Sequence, residues 1–71
     1  MDTDNNRRRL GENVRSARQR NGISQRQLAL MVGTSQSYLW RIESGDADVG
    51  FGVLCRIARA LDVRVRDLVD F

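Results

Sequence analysis

The sequence predicts an all-α fold of five short helices, and three observations carry that expectation. Apolar residues recur every three or four positions, and no segment alternates with period two over a strand length. Helix start and stop residues punctuate the chain at short intervals. Between residues 24 and 45, two helical stretches flank a tight turn that contains a glycine.

The elements follow in order. Leu10, Val14 and Ala17 share one face of a first helix. Asn21 and Gly22 close it, because glycine takes the left-handed conformation of a helix C-terminus without strain. Ile23 follows as a core anchor. Ser24 and Gln27 have the spacing of a capping box at the start of a second helix. Leu28, Ala29 and Val32 form its buried stripe, and Gly33 stops it. Ser35 is the natural N-cap of a third helix, which buries Leu39 and Ile42 and ends at Ser44 and Gly45. After a loop over 46–50, Phe51, Leu54, Ile57, Ala58 and Leu61 mark a fourth helix. Beyond Asp62 and Val63, the residues Val65, Leu68 and Val69 indicate a short fifth one.

Composition narrows the function. A chain of 71 residues forms one small domain, since a chain of about this length buries only ~60% of its unfolded surface. There is no histidine, and the one cysteine, Cys55, makes neither a disulfide nor a zinc site. It reads as a small buried hydrophobe. No paired-carboxylate motif or phosphate-cradling glycine loop is present, so an enzyme has no support, and neither a cofactor nor a metal is expected. The apolar runs are too short to span a membrane. A cytoplasmic location is expected. Charge is uneven: eight arginines face four acids up to Gly45, whereas four face five beyond it. A basic half points to a polyanion partner, although a solvated arginine-rich surface has the same arithmetic.

The turn between the second and third helices has specific steric demands. Counting from Gln25, Ala29 is the fifth residue, where two closely crossing helices need a small side chain. Gly33 is the ninth, where the backbone needs a positive φ. Leu28, Val32, Leu39 and Ile42 fill the angle between the helices. With this spacing, residues 24–45 resemble the lambda-repressor-like helix-turn-helix family, also called the Cro/repressor or XRE group. The resemblance extends over about residues 10–68. It implies a compact five-helix lambda-repressor-like domain over 9–71, with the helix-turn-helix at helices 2 and 3. Residues 1–8 are expected as a flexible tail, since 1–6 are polar and aperiodic. The small stand-alone regulators of the group are similar in length. The controller proteins of restriction–modification systems also have valine where most members have proline, as at Val49.

The resemblance implies double-stranded DNA as partner, with the third helix in the major groove of a palindromic operator read by a homodimer. At about 100° per residue, Gln36, Ser37, Trp40 and Arg41 share one face, opposite Leu39 and Ile42. Glutamine pairs with adenine and arginine with guanine in bidentate fashion. By resemblance, Gln36, Ser37 and Arg41 fall where the family contacts bases, and Ser35 falls beside them. Gln25 falls where the family holds a phosphate, which is favoured over a merely exposed first-turn residue. Tyr38 has two readings, a phosphate donor or a ring packed on the second helix. Trp40 also has two: contact with a thymine methyl or deoxyribose, or with a partner protein. Arg7, Arg8 and Arg9 form either a basic DNA arm or a solvated tail. Arg18 and Glu43 are implied to be a structural ion pair between the first and third helices.

The sequence departs from the family pattern in three places. Asp46 and Asp48 stand in a loop that usually carries cations near phosphate, and acids there repel it. Gly50 and Arg64 replace usual helix caps. Val63, Val65, Val69 and Phe71 exceed what a short last helix needs, which predicts a two-fold interface. The functional expectation is a sequence-specific transcriptional regulator, acting as a repressor. The alternative is an antitoxin or adaptor that holds a partner protein, motivated by Trp40, the acidic loop and the apolar C-terminus.

Overall fold

The computed structural model describes residues 2–71. Met1, part of the expected tail, lies outside them. The helices are α1 (Thr3–Arg20), α2 (Gln25–Val32), α3 (Gln36–Glu43), α4 (Phe51–Ala60) and α5 (Val65–Leu68), and no strand occurs among the described residues.

The apolar stripes read from the sequence meet in one core. Val14 and Ala17 of α1, Leu28, Ala29 and Val32 of α2, and Leu39 and Ile42 of α3 are buried there. Ile57, Ala58, Leu61 and Leu68 close it from below, and Ala47 of the acidic loop joins them. α1 packs on α3 and α5, α2 packs on α3 and α4, and α4 packs on α5. The α1–α3 crossing brings backbone against backbone. A Cβ at Gly11 would collide with the Ile42 carbonyl oxygen and lie 2.7 Å from that of Glu43, so this crossing excludes any side chain at position 11.

The N-terminus differs from the expected tail. Helix α1 starts at Thr3, and Asp2 caps it by accepting hydrogen bonds from the Asp4 and Asn5 amides. Polar contacts rather than an apolar stripe hold these first turns. Arg7 bridges Asp4 at 3.0 Å and Asp48 at 2.7 Å. The Arg8 guanidinium donates to Asn5 Oδ1, and the Arg8 stem lies under Gly45. Arg9 donates to both carboxylate oxygens of Asp70, at 3.1 and 2.7 Å. The three arginines are thus part of a helix, neither a loose arm nor a solvated tail. Two of their partners come from far along the chain, which is why local pattern did not reveal them.

At the other end, the C-terminus is clamped to α1. Asn13 Nδ2 donates to the Leu68 carbonyl and to Asp70 Oδ1, both at 2.9 Å. The four residues expected at a two-fold interface divide. Val63, Val65 and Val69 are half-buried against the chain's own core, whereas Phe71 is 51% exposed. Phe51, at the start of α4, is 75% exposed and was not among them. Cys55 is a free, half-buried thiol.

Candidate nucleic-acid interface

The site begins with how α2 and α3 are started and held. Ser24 Oγ accepts from the Gln27 amide at 3.0 Å, and Gln27 Oε1 accepts from the Ser24 amide at 2.7 Å. This reciprocal pair satisfies two amides that a helix start leaves without partners. Gly33 ends α2 at φ 78°, a left-handed conformation that sends the chain sharply into α3. Ser35 Oγ then accepts from the Tyr38 amide at 3.0 Å. With Leu39 and Ile42 fully inside, the rotation of α3 about its own axis is fixed, and the opposite face is turned outward.

An ion pair fixes the tilt of α3. Arg18 of α1 grips Glu43 in bidentate geometry, Nε to Oε2 at 2.8 Å and Nη2 to Oε1 at 3.0 Å. The side chains are only 13% and 4% exposed. The third arm of the guanidinium, Nη1, donates to the Ile23 carbonyl at 3.0 Å, which ties in the segment that leads to α2. Gln25 Nε2 donates to Glu43 Oε1 at 3.3 Å. One carboxylate therefore joins α1, the start of α2 and the end of α3. Arg18, spent on this contact, is a structural cation.

The outward face holds Gln36, Ser37, Trp40 and Arg41, all exposed. With Gln25 they line a single shallow depression between the start of α2 and the length of α3. Trp40, 57% exposed, also walls a second depression with Arg15, Ser44 and the Arg18–Glu43 pair. Arg15 belongs beside the site but carried no signal in the sequence, because it sits on α1 and only the α1–α3 crossing brings it there. Ser35 stands at the rim as cap.

Two side chains are engaged in ways the sequence did not show. The Tyr38 ring is half-buried against the core, and its hydroxyl donates to the Asp48 carbonyl at 3.0 Å. In this structure that proton is held within the chain. Arg41 Nη2 donates to the Asp46 carbonyl at 3.1 Å, which holds one arm of the guanidinium and leaves the side chain exposed. The acidic loop is thus an internal scaffold: its carbonyls support Tyr38 and Arg41, and the Asp48 carboxylate is spent on Arg7. The Asp48 hydrogen bond, with its charge, raises the Arg7 pKa above the usual arginine value. The Asp70 hydrogen bond and charge do the same for Arg9.

Among the described residues, no cluster of side chains suits a metal ion, and no helix is long and apolar enough to cross a membrane.

Comparison with known proteins agrees with this architecture. A family model described as Helix-turn-helix matches residues 14–68. The chain is 39% identical over 56 residues to an HTH-type transcriptional regulator of Sinorhizobium fredii, y4dL, covering 79% of this chain and 29% of that protein. It therefore spans less than a third of that relative's length. It is 38% identical over 60 residues to the control protein C.SmaI of Serratia marcescens, covering 84% of this chain and 71% of the relative. The crystal structure of the restriction-modification controller protein C.AhdI from Aeromonas hydrophila superposes with a TM-score of 0.90 at 31% identity, over 96% of this chain and 99% of that one. The resemblance read from residues 24–45 holds across most of the chain, and the proteins it matches are regulators rather than enzymes. The chain belongs to the XRE-type helix-turn-helix family of DNA-binding transcriptional regulators.

Proposed function

We propose that this protein is a cytoplasmic, sequence-specific repressor that binds a palindromic operator as a homodimer, with α3 in the major groove. The observation that carries the reading is the outward face of α3: Gln36, Ser37 and Arg41 exposed together, on a helix whose pitch and tilt are fixed by a cap, a glycine and a buried ion pair. An α-helix with its side chains is about 10–12 Å across and fits a major groove about 12 Å wide. Gln36 is suited to adenine and Arg41 to guanine, each worth roughly 1–3 kcal/mol of discrimination. Ser37 and Ser35 add hydroxyl contacts. Gln25 and the first amides of α2 face the backbone phosphates, and Arg15 supplies a further cation.

Dimerisation follows from size. One short helix reads few base pairs, and two half-sites one DNA turn apart, about 34 Å, double the contact. Of the residues expected at the two-fold interface, Phe71 is the one left exposed for a second copy. The antitoxin or adaptor reading is weakened, since Asp48 of the acidic loop is engaged by Arg7 and the C-terminal valines pack on their own core, while the exposed Trp40 and Phe71 still favour it.

Selection of bound sequences from a random duplex pool tests the proposal. A palindrome with half-site centres one turn apart is the expected product. Failure to enrich any sequence, or enrichment of a single unrepeated half-site, overturns the operator and dimer readings respectively.

A further inference from the structure

The outward face of α3 contains one residue that hydrogen-bonding readout does not account for. Gln36, Ser37 and Arg41 all offer polar groups, and Trp40 sets a large apolar surface among them. We infer that Trp40 reads the 5-methyl group of a pyrimidine in the operator, so that thymine, and equally 5-methylcytosine, is preferred at one position of each half-site. This rests on the proposed binding mode and adds a specificity determinant to it.

Three features of the site support the inference. The indole stands at the boundary of two depressions, one shared with Gln36, Ser37 and Arg41 and the other with Arg15 and Ser44, and Gln25 borders both. It lies on the same face as the polar reading groups, one helical turn beyond Gln36, so whatever base edge those groups approach, the indole approaches as well. Finally, the major groove edges of the bases are lined with polar atoms, and the C5-methyl of thymine is their apolar exception. An exposed indole at 57% accessibility gains from a duplex chiefly by covering that methyl. Cytosine lacks it at the same ring position, and methylation of cytosine restores it.

The test uses the full chain and the selected operator. Each thymine is replaced singly by deoxyuridine, which deletes the methyl and leaves the base-pairing edge unchanged. For the wild-type protein, one thymine per half-site should show a ~4-fold loss of affinity, the equivalent of about 0.8 kcal/mol for one buried methyl-sized group. Trp40→Ala should bind the thymine and uracil operators alike, while Trp40→Phe, which keeps an apolar face, should retain part of the difference. Replacing the sensitive thymine–adenine pair by 5-methylcytosine–guanine should bind more tightly than cytosine–guanine by a similar factor. Trp40 is the sole tryptophan, so its emission reports directly whether the indole is covered in the complex. Indifference of the wild-type protein to every uracil, or a loss that persists unchanged in Trp40→Ala, overturns the inference while leaving the operator reading standing. Loss of binding in Trp40→Phe without any uracil effect would assign the indole N–H instead as the reading group. If the pool yields no operator, both readings fall together.

Discussion

The α2–α3 hairpin and the α4–α5 segment are comparable in size but are secured by different means. In the hairpin, each helix begins under a serine hydroxyl, at Ser24 and Ser35, and a glycine takes the left-handed turn between them. Helix α4 begins at Gly50, which has no side chain to offer, and α5 begins at Arg64, whose amide is instead bonded by Asp67 at 2.8 Å. The turn between these two passes through Asp62 at φ 56°, where most side chains are strained. The hairpin's helix starts are set by local serine caps, whereas α4 has no side-chain cap and the base is held by apolar packing and by long-range bonds from Asn13 and Arg9 of α1. In the proposed binding mode only the hairpin must present particular atoms at a fixed pitch, and the side-chain caps lie where that readout would require them.

Substitutions separate the two regions. The largest effect is expected at Glu43, whose loss leaves the Arg18 charge buried without its partner. Glu43→Ala should cost about 3 kcal/mol, read as a fall in the urea midpoint with little change in slope. Combining Arg18→Met with Glu43→Leu should recover most of it, because the penalty belongs to the unpaired charge. The two left-handed residues come next and carry opposite signs. Gly33→Ala should destabilise by roughly 1–2 kcal/mol, whereas Asp62→Gly should stabilise by up to ~1 kcal/mol. Thermal unfolding of the two variants beside the wild type checks both. The helix starts differ in the same sense: Ser24→Ala should cost ~1 kcal/mol, and Gly50→Ser should gain only a few tenths.

The smallest effect concerns pH. The Arg9 hydrogen bond, followed by that of Asn13, lowers the Asp70 pKa below the ordinary carboxylate value. A carboxylate with a depressed folded pKa stabilises fully above its unfolded value of about 3.9 and loses that contribution as pH falls through the folded one. Stability of the wild type should therefore fall more steeply below pH ~4 than that of Asp70→Asn. Because the pair is exposed to solvent, the difference should shrink in high salt.

The sequence was most legible where structure is local. Caps, the positive-φ glycine and the small residue at Ala29 all act within a few positions of one another, so residues 24–45 could be read directly. The same logic gave the burial of Leu39 and Ile42, and with it the exposure of Gln36, Ser37, Trp40 and Arg41. Contacts between distant positions were not legible. Arg7 finds Asp48, and Arg9 finds Asp70, only after the chain has folded, so a helical N-terminus looked like a tail. Gly11 carries no mark in the sequence of the backbone contact it permits. The acids of the 46–48 loop suggested repulsion of phosphate, because the pairing of the Asp48 carboxylate with Arg7 could not be assigned from spacing.

Whether the outward face of α3 reads bases is tested most directly at Arg41. Affinities of the wild type and Arg41→Ala should be measured on the selected operator and on random duplex at one salt concentration. Loss of a base contact worth roughly 1–3 kcal/mol predicts a fall of about 5- to 150-fold on the operator, with a much smaller change on random DNA. Equal losses on both would mean that Arg41 serves only as a cation for phosphate, and the account of readout would be contradicted.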